Sequence, residues 1–208
     1  MEKANCHVES GSPPAAGNDT TYLCAVDHDE NIVSLIQSNY GSFGSGLVPD
    51  KCGFVLQNWG GLFSLDSNHP NHLAGRKRPL HTIIPAMMTK GDIHIAFGIM
   101  GSWNQSQAHA QFVSNAADHK MNIQAALEAP RFSKGSFDGC EVAVEARIPA
   151  TIISALESKG HQVQVKGNFS QPVGGGQAVM RDFSASVNYG ASDPRKDGAA
   201  IPGPLMKK

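Results

Sequence analysis

The residues able to do chemistry in this 208-residue chain begin with a threonine. Thr20 opens the first β-rich segment, Thr20-Thr21-Tyr22-Leu23-Cys24-Ala25-Val26, directly after nineteen polar residues rich in Gly, Ser, Pro and Asn. If the Asp19–Thr20 bond is cut, Thr20 becomes a chain terminus. Its freed α-amino group, with a pKa of about 8, can then take the hydroxyl proton at neutral pH, so nucleophile and base are one residue. Two threonines at a strand start are also what β propensity selects, and their position alone does not separate the two readings.

Other reactive residue types give weaker patterns. His69, His72, His94, His109, His119 and His161 form no HExxH arrangement and no matching carboxylate spacing, so neither a metal nor another cofactor is expected. Cys6, Cys24, Cys52 and Cys140 include no CxxC pair, which disfavours zinc and favours four free thiols. Gly174-Gly175-Gly176 lacks the lysine of a phosphate loop and reads as a flexible turn.

Composition narrows the partners. With 17 Lys and Arg against 18 Asp and Glu, and a formal net charge of −1, the chain has no electrostatic footprint for nucleic acid. It contains no run of about 18 apolar residues that could span a membrane, and residues 1–18 lack the apolar centre of a secretory signal. The expectation is a protein neither inserted nor exported, with the cytoplasm favoured. A chain of this length can bury roughly 70% of its unfolded surface in a core of its own.

The elements that must carry these residues can be read from periodicity. Residues 1–19 read as a mobile leader and 20–208 as one domain. A hairpin is expected over Thr20–Val26 and Ile32–Gln37, a short strand at Phe54–Leu56, and a second hairpin from His81–Thr89 to Ile93–Ile99 around Lys90-Gly91-Asp92. Ala108, Phe112, Val113 and Ala116 mark a helix over Gln105–His119, and Asn122–Glu128 reads as a second. Glu141–Glu145 alternates, Pro149–Lys159 is helical, Val163–Val165 alternates, and strands at Gln177–Met180 and Ala185–Tyr189 close the chain. Without regular βαβ alternation, the class is α+β, with helices layered on antiparallel sheet.

Four segments then occur in order: Thr20-Thr21-Tyr22-Leu23-Cys24-Ala25-Val26-Asp27, Phe43-Gly44-Ser45-Gly46, Arg76-Lys77-Arg78-Pro79 and Gly190-Ala191-Ser192-Asp193-Pro194-Arg195. From Thr20 to the C-terminus the chain resembles the small catalytic chain of the gamma-glutamyltranspeptidase family. That resemblance implies an N-terminal-nucleophile hydrolase αββα sandwich, of which this chain is the small-subunit half, and autocleavage before Thr20. It also implies a separate large chain that supplies an arginine clamping the substrate carboxylate and the remaining layers.

Residue by residue, the resemblance makes Ser38 the hydroxyl that hydrogen-bonds the nucleophile. It makes Gly101 and Ser102 the pair whose N–H groups form the oxyanion hole, with Ser102 strained if that position needs positive φ. Tyr40 stands where asparagine is usual. Trp59 and Leu62 replace the acidic or amide residues that grip a substrate ammonium, and His81-Thr82 replaces a serine pair beside the substrate carboxylate. An indole and an isobutyl group offer no carboxylate, although Trp59 presents a cation–π face. With Gln57-Asn58-Trp59-Gly60, the pattern resembles the acylase-leaning branch, whose substrates lack the amino group.

The expected activity is amide hydrolysis or acyl transfer on a small γ-glutamyl or acyl amide. The alternative is a truncated, non-catalytic fragment needing a separate large chain, since Met1 stands only 19 residues before Thr20.

Overall fold

The computed structural model describes residues 19–203. Its elements are β1 (Asp19–Val26), β2 (Ile32–Tyr40), β3 (Ala86–Lys90), β4 (Ile93–Met100), α1 (Gln105–Ala117), α2 (Ile123–Glu128), β5 (Phe132–Ser133), β6 (Glu141–Glu145), α3 (Ala150–Ser158), β7 (Gln162–Lys166), β8 (Gly175–Asp182) and β9 (Val187–Ser192).

β1 and β2 form an antiparallel hairpin. Its turn is held by Asp27, whose carboxylate accepts from the Asn31 backbone N–H at 2.8 Å. The strands alternate: Tyr22, Ile32, Ser34, Ile36 and Ser38 point inward, while Leu23, Val33 and Leu35 lie on the opposite, exposed face. The inward face packs on a four-stranded sheet ordered β3-β4-β8-β9. Tyr22 lies flat on Gly98, where any Cβ would run into the ring, and the Ser34 hydroxyl donates to Ala86 O at 3.0 Å.

β4 supplies both faces of that sheet. Ala96 and Gly98 are small and admit the hairpin, while Ile95, Phe97 and Ile99 join Ala108, Phe112, Ile123, Ala126 and Leu127 in the core under α1 and α2. Phe97 and Phe112 stack with ring centroids 4.6 Å apart. Asn122 caps α2, its side-chain oxygen accepting from Ala125 N at 2.8 Å. The result is helices, sheet and hairpin in three layers, with Leu23, Val33 and Leu35 exposed on the outer hairpin face.

Several elements differ from expectation. Phe54–Leu56 forms no strand: Leu56 pairs instead with the preceding loop, donating to Leu47 O at 2.9 Å and accepting from Ser45 N at 2.8 Å, around Gly44 at φ 59°. β3 begins at Ala86 rather than His81, because Pro85 has no N–H for the ladder. β6 and β7 pair in parallel through α3, so one βαβ unit sits beside the antiparallel sheets. Gly175 and Gly176 are buried in β8 and are not a flexible turn. Cys140 is disulfide-bonded, against the expectation of free thiols, whereas Cys24 and Cys52 are free. The expected leader at 1–18 lies outside the described residues, and β1 starts one residue before Thr20.

Candidate functional site

Thr20 and Ser38 face each other across β1 and β2. The Thr20 hydroxyl donates to Ser38 Oγ at 3.0 Å, and the same oxygen accepts from the Tyr40 backbone N–H at 2.9 Å. The ladder slips at this point: Asp19 pairs with Tyr40 and Thr20 with Ser38, so a bulge lies opposite the Asp19–Thr20 bond. Tyr40, at φ 73°, is in the left-handed region that non-glycine residues rarely adopt.

That turn of backbone sends the Tyr40 ring onto Trp59, with centroids 4.1 Å apart and planes tilted by 30°. Trp59 is only 4% exposed and meets His81 edge-on at 6.2 Å. Leu62 ends the same short 3-10 turn as Trp59 and is half-buried. Tyr40, Trp59 and Leu62 present two rings and an alkyl chain but no carboxylate, and the Tyr40 hydroxyl is buried with no hydrogen-bond partner among the described residues.

His81 also lines a cleft of about 580 Å³, together with Thr82, Ser102, Trp103, Gln105 and Lys134 among others. Thr82 is buried, and its hydroxyl has no hydrogen-bond partner among the described residues, as is true of Ser102 Oγ and both amide ends of Gln105. Among the described residues, no Asp or Glu lines this cleft. Of the expected site residues only His81, Thr82 and Ser102 are in its wall, and Thr20, Ser38, Tyr40, Trp59, Leu62 and Gly101 are not; Thr20 connects to it through Ser38, Tyr40, Trp59 and His81.

Ser102 has φ 53°, the conformation glycine would adopt freely. For serine this costs roughly 1 kcal/mol. Gly101 is backed directly against Gly174: a Cβ on Gly101 would stand 3.0 Å from Gly174 Cα, and one on Gly174, at φ 86°, 2.6 Å from Met100 O. The glycine run is therefore a close-approach segment behind the Gly101–Ser102 turn.

Behind this segment lies a buried ionic cluster that reading the sequence did not single out as a site. Arg131 donates to Gly174 O and to Asp193, each at 2.7 Å. Arg195 donates to Asp193 at 3.0 Å and to Glu145 at 2.5 Å. All four side chains are at most 1% exposed. Burial alone would raise the Glu145 carboxyl, but hydrogen bonds from Arg195 and from the N–H groups of Ser170 and Arg131 hold it below its ordinary value. Burial pulls Arg131 down despite Asp193 beside it, whereas Arg195 is raised because Glu145 and Asp193 outweigh its own burial. The Asp193-Pro194-Arg195 segment was the only sequence signal for the cluster; nothing local marked Arg131 or Glu145 as its partners.

A hairpin and a four-stranded sheet stacked under helices, with a hydroxyl residue at the start of the first strand, define the three-layer core of an N-terminal-nucleophile hydrolase. The amino-acid sequence matches the family described as gamma-glutamyltranspeptidase over residues 2–203. The chain belongs to that family. It is 40% identical over 189 residues to the glutathione hydrolase-like YwrD proenzyme of Bacillus subtilis, covering 89% of this chain and 36% of that protein. It is 35% identical over 198 residues to the oxamate amidohydrolase proenzyme of Klebsiella pneumoniae, covering 92% and 37%. Among solved structures, the cephalosporin acylase of Bacillus halodurans superposes with a TM-score of 0.77 at 45% identity, over 88% of this chain and 34% of that one. The chain thus spans about a third of the length of these relatives.

Proposed function

We propose that this chain is the catalytic part of an amide hydrolase or acyltransferase, a glutathione hydrolase or related acylase, that matures by cleavage before Thr20. The Thr20 hydroxyl then attacks an amide carbonyl and its proton passes to the α-amino group. The N–H groups of Gly101 and Ser102 hold the tetrahedral oxyanion, a contribution of roughly 3 kcal/mol per donor. The amine leaves with that proton, and water or a second amine takes the acyl group from the Thr20 ester. The observation that carries this reading is the hydrogen bond from Thr20 to Ser38, with Ser38 itself fixed by Tyr40 N–H.

The Tyr40–Trp59 stack and Leu62 support acyl groups without an α-ammonium, with the acyl chain placed along His81 and Thr82. The names of relatives, an oxamate amidohydrolase and a cephalosporin acylase, point the same way.

A large chain of the same family is the proposed partner. Leu23, Val33 and Leu35 are between 42% and 48% exposed on one face of the hairpin, which suits burial against another layer. The third-length match to the proenzymes supports this, and it makes dependence on that chain part of the reading.

Mass spectrometry of the protein purified together with its large chain is the test. A product beginning at Thr20, together with loss of acyl-amide hydrolysis in Thr20→Ala, supports the reading. An uncleaved chain, or an equally active Thr20→Ala variant, overturns it.

A further inference from the structure

Asn104 ends the short turn Ser102–Asn104 that follows Gly101. Its backbone N–H donates to Gly101 O at 3.0 Å. Its side-chain amide reaches across the chain and donates to Val173 O at 2.7 Å, a buried bond between residues 69 positions apart. Arg131 holds the next carbonyl, Gly174 O, at 2.7 Å from behind. The two segments touch glycine to glycine, with no side chain between Gly101 and Gly174. Asn104 is thus a side-chain bolt across a backbone contact.

Ser102 sits inside this bolted turn at φ 53°. Serine is sterically disfavoured there, and its own hydroxyl has no partner among the described residues that would compensate. The conformation is therefore imposed by what holds the turn at its two ends.

We propose that Asn104 is a positioning residue: by tying the turn to Val173 it keeps Ser102 at positive φ and so aims the Ser102 N–H. The proposal rests on the reading that Gly101 and Ser102 donate to the oxyanion. Asn104 acts through the backbone of Ser102 and needs no contact with substrate. Without the tie, Ser102 relaxes to negative φ and its peptide plane turns away.

A double-mutant cycle in the mature protein with its large chain tests this. With an acyl p-nitroanilide, Asn104→Ala is expected to lower kcat about 30-fold with KM changed less than about twofold, because aim rather than ground-state binding is lost. In a Ser102→Gly background the same substitution is expected to cost less than about threefold, since glycine holds positive φ without help. An equal loss in both backgrounds, or a loss confined to KM, overturns the proposal. Amide exchange gives a readout independent of turnover: the Gln105 N–H, which donates to Ser102 O, is expected to exchange about tenfold faster in Asn104→Ala, and unchanged exchange overturns the proposal. If the unsubstituted protein hydrolyses no acyl amide, the functional reading fails, and the exchange result alone decides the role of Asn104.

Discussion

Ser38 Oγ lies 3.0 Å from Thr20 Oγ1 and at the same time accepts the Tyr40 N–H, so one serine joins the candidate nucleophile to the backbone of the residue that builds the aromatic wall. The bulge at Asn39 interrupts the alternation of β2 and brings the Tyr40 amide within reach of Ser38. A residue in this place can orient the Thr20 oxygen and also fix the aromatic wall proposed to receive the acyl group.

Replacing that serine separates the two roles. Ser38→Ala is expected to lower kcat about tenfold or more, while costing only about 1 kcal/mol of stability, the net worth of a hydrogen bond. Ser38→Thr keeps the hydroxyl and retains most of the activity. Steady-state kinetics alongside urea unfolding check both values.

Substrate choice is expected to turn on Trp59. In Trp59→Glu a carboxylate stands where the indole fills the wall, and the ratio of kcat/KM for γ-glutamyl over glutaryl p-nitroanilide should rise about tenfold or more, because the ammonium gains a charged acceptor. The lost stack with Tyr40 lowers Tm as well. An unchanged ratio in the competition assay removes Trp59 from specificity.

The ionic cluster is expected to matter through its removal. Arg195→Leu leaves Glu145 and Asp193 buried with one guanidinium fewer, a loss of about 3–5 kcal/mol. Because Arg131 also holds Gly174 O, the same damage should reach the Gly101–Ser102 turn. Denaturant melts and the yield of cleaved chain read the two effects separately.

Stability is expected to fall with acid in two steps. His109 is buried against Phe97, and its Nδ1 lies 2.6 Å from Gln105 O. Burial, with a smaller contribution from Arg131, lowers its pKa below 6.5, despite the hydrogen bond to Gln105. The unfolded chain therefore takes up this proton first, and stability present above about pH 6.5 declines as pH falls through that value toward the folded pKa. Glu145, held below its ordinary 4.5, adds a second loss below that pH. Melting curves from about pH 7.5 to about pH 3 should show both slopes, and His109→Gln should flatten only the first.

The order of elements was legible because most of them carry their own period. The Thr20 hairpin, the stripe Ala108, Phe112 and Ala116, and the Pro149 start of α3 each satisfy a local rule, and the structure keeps them within a few residues. Phe54–Leu56 misled because an apolar run of three records no register; its hydrogen bonds go to the loop at 45–47 instead. The parallel pairing of β6 with β7 was equally hidden, since strand direction depends on the path of α3 rather than on any residue in the strands.

The linear order of residues determined the family, the place of a threonine at the head of the first strand, and the lack of acidic groups at Trp59 and Leu62, because each is a matter of side-chain identity. The resemblance already paired Ser38 with Thr20, as the structure has it, whereas only the folded chain decided that Asn104 reaches Val173 and that Arg131, Glu145, Asp193 and Arg195 share one buried site. The bonds from Arg195 to Glu145, from Arg131 to Asp193 and from Asn104 to Val173 join residues 50, 62 and 69 positions apart, and a hydrogen bond of about 3 Å between such residues is fixed by sheet register and layer packing, which no local pattern encodes.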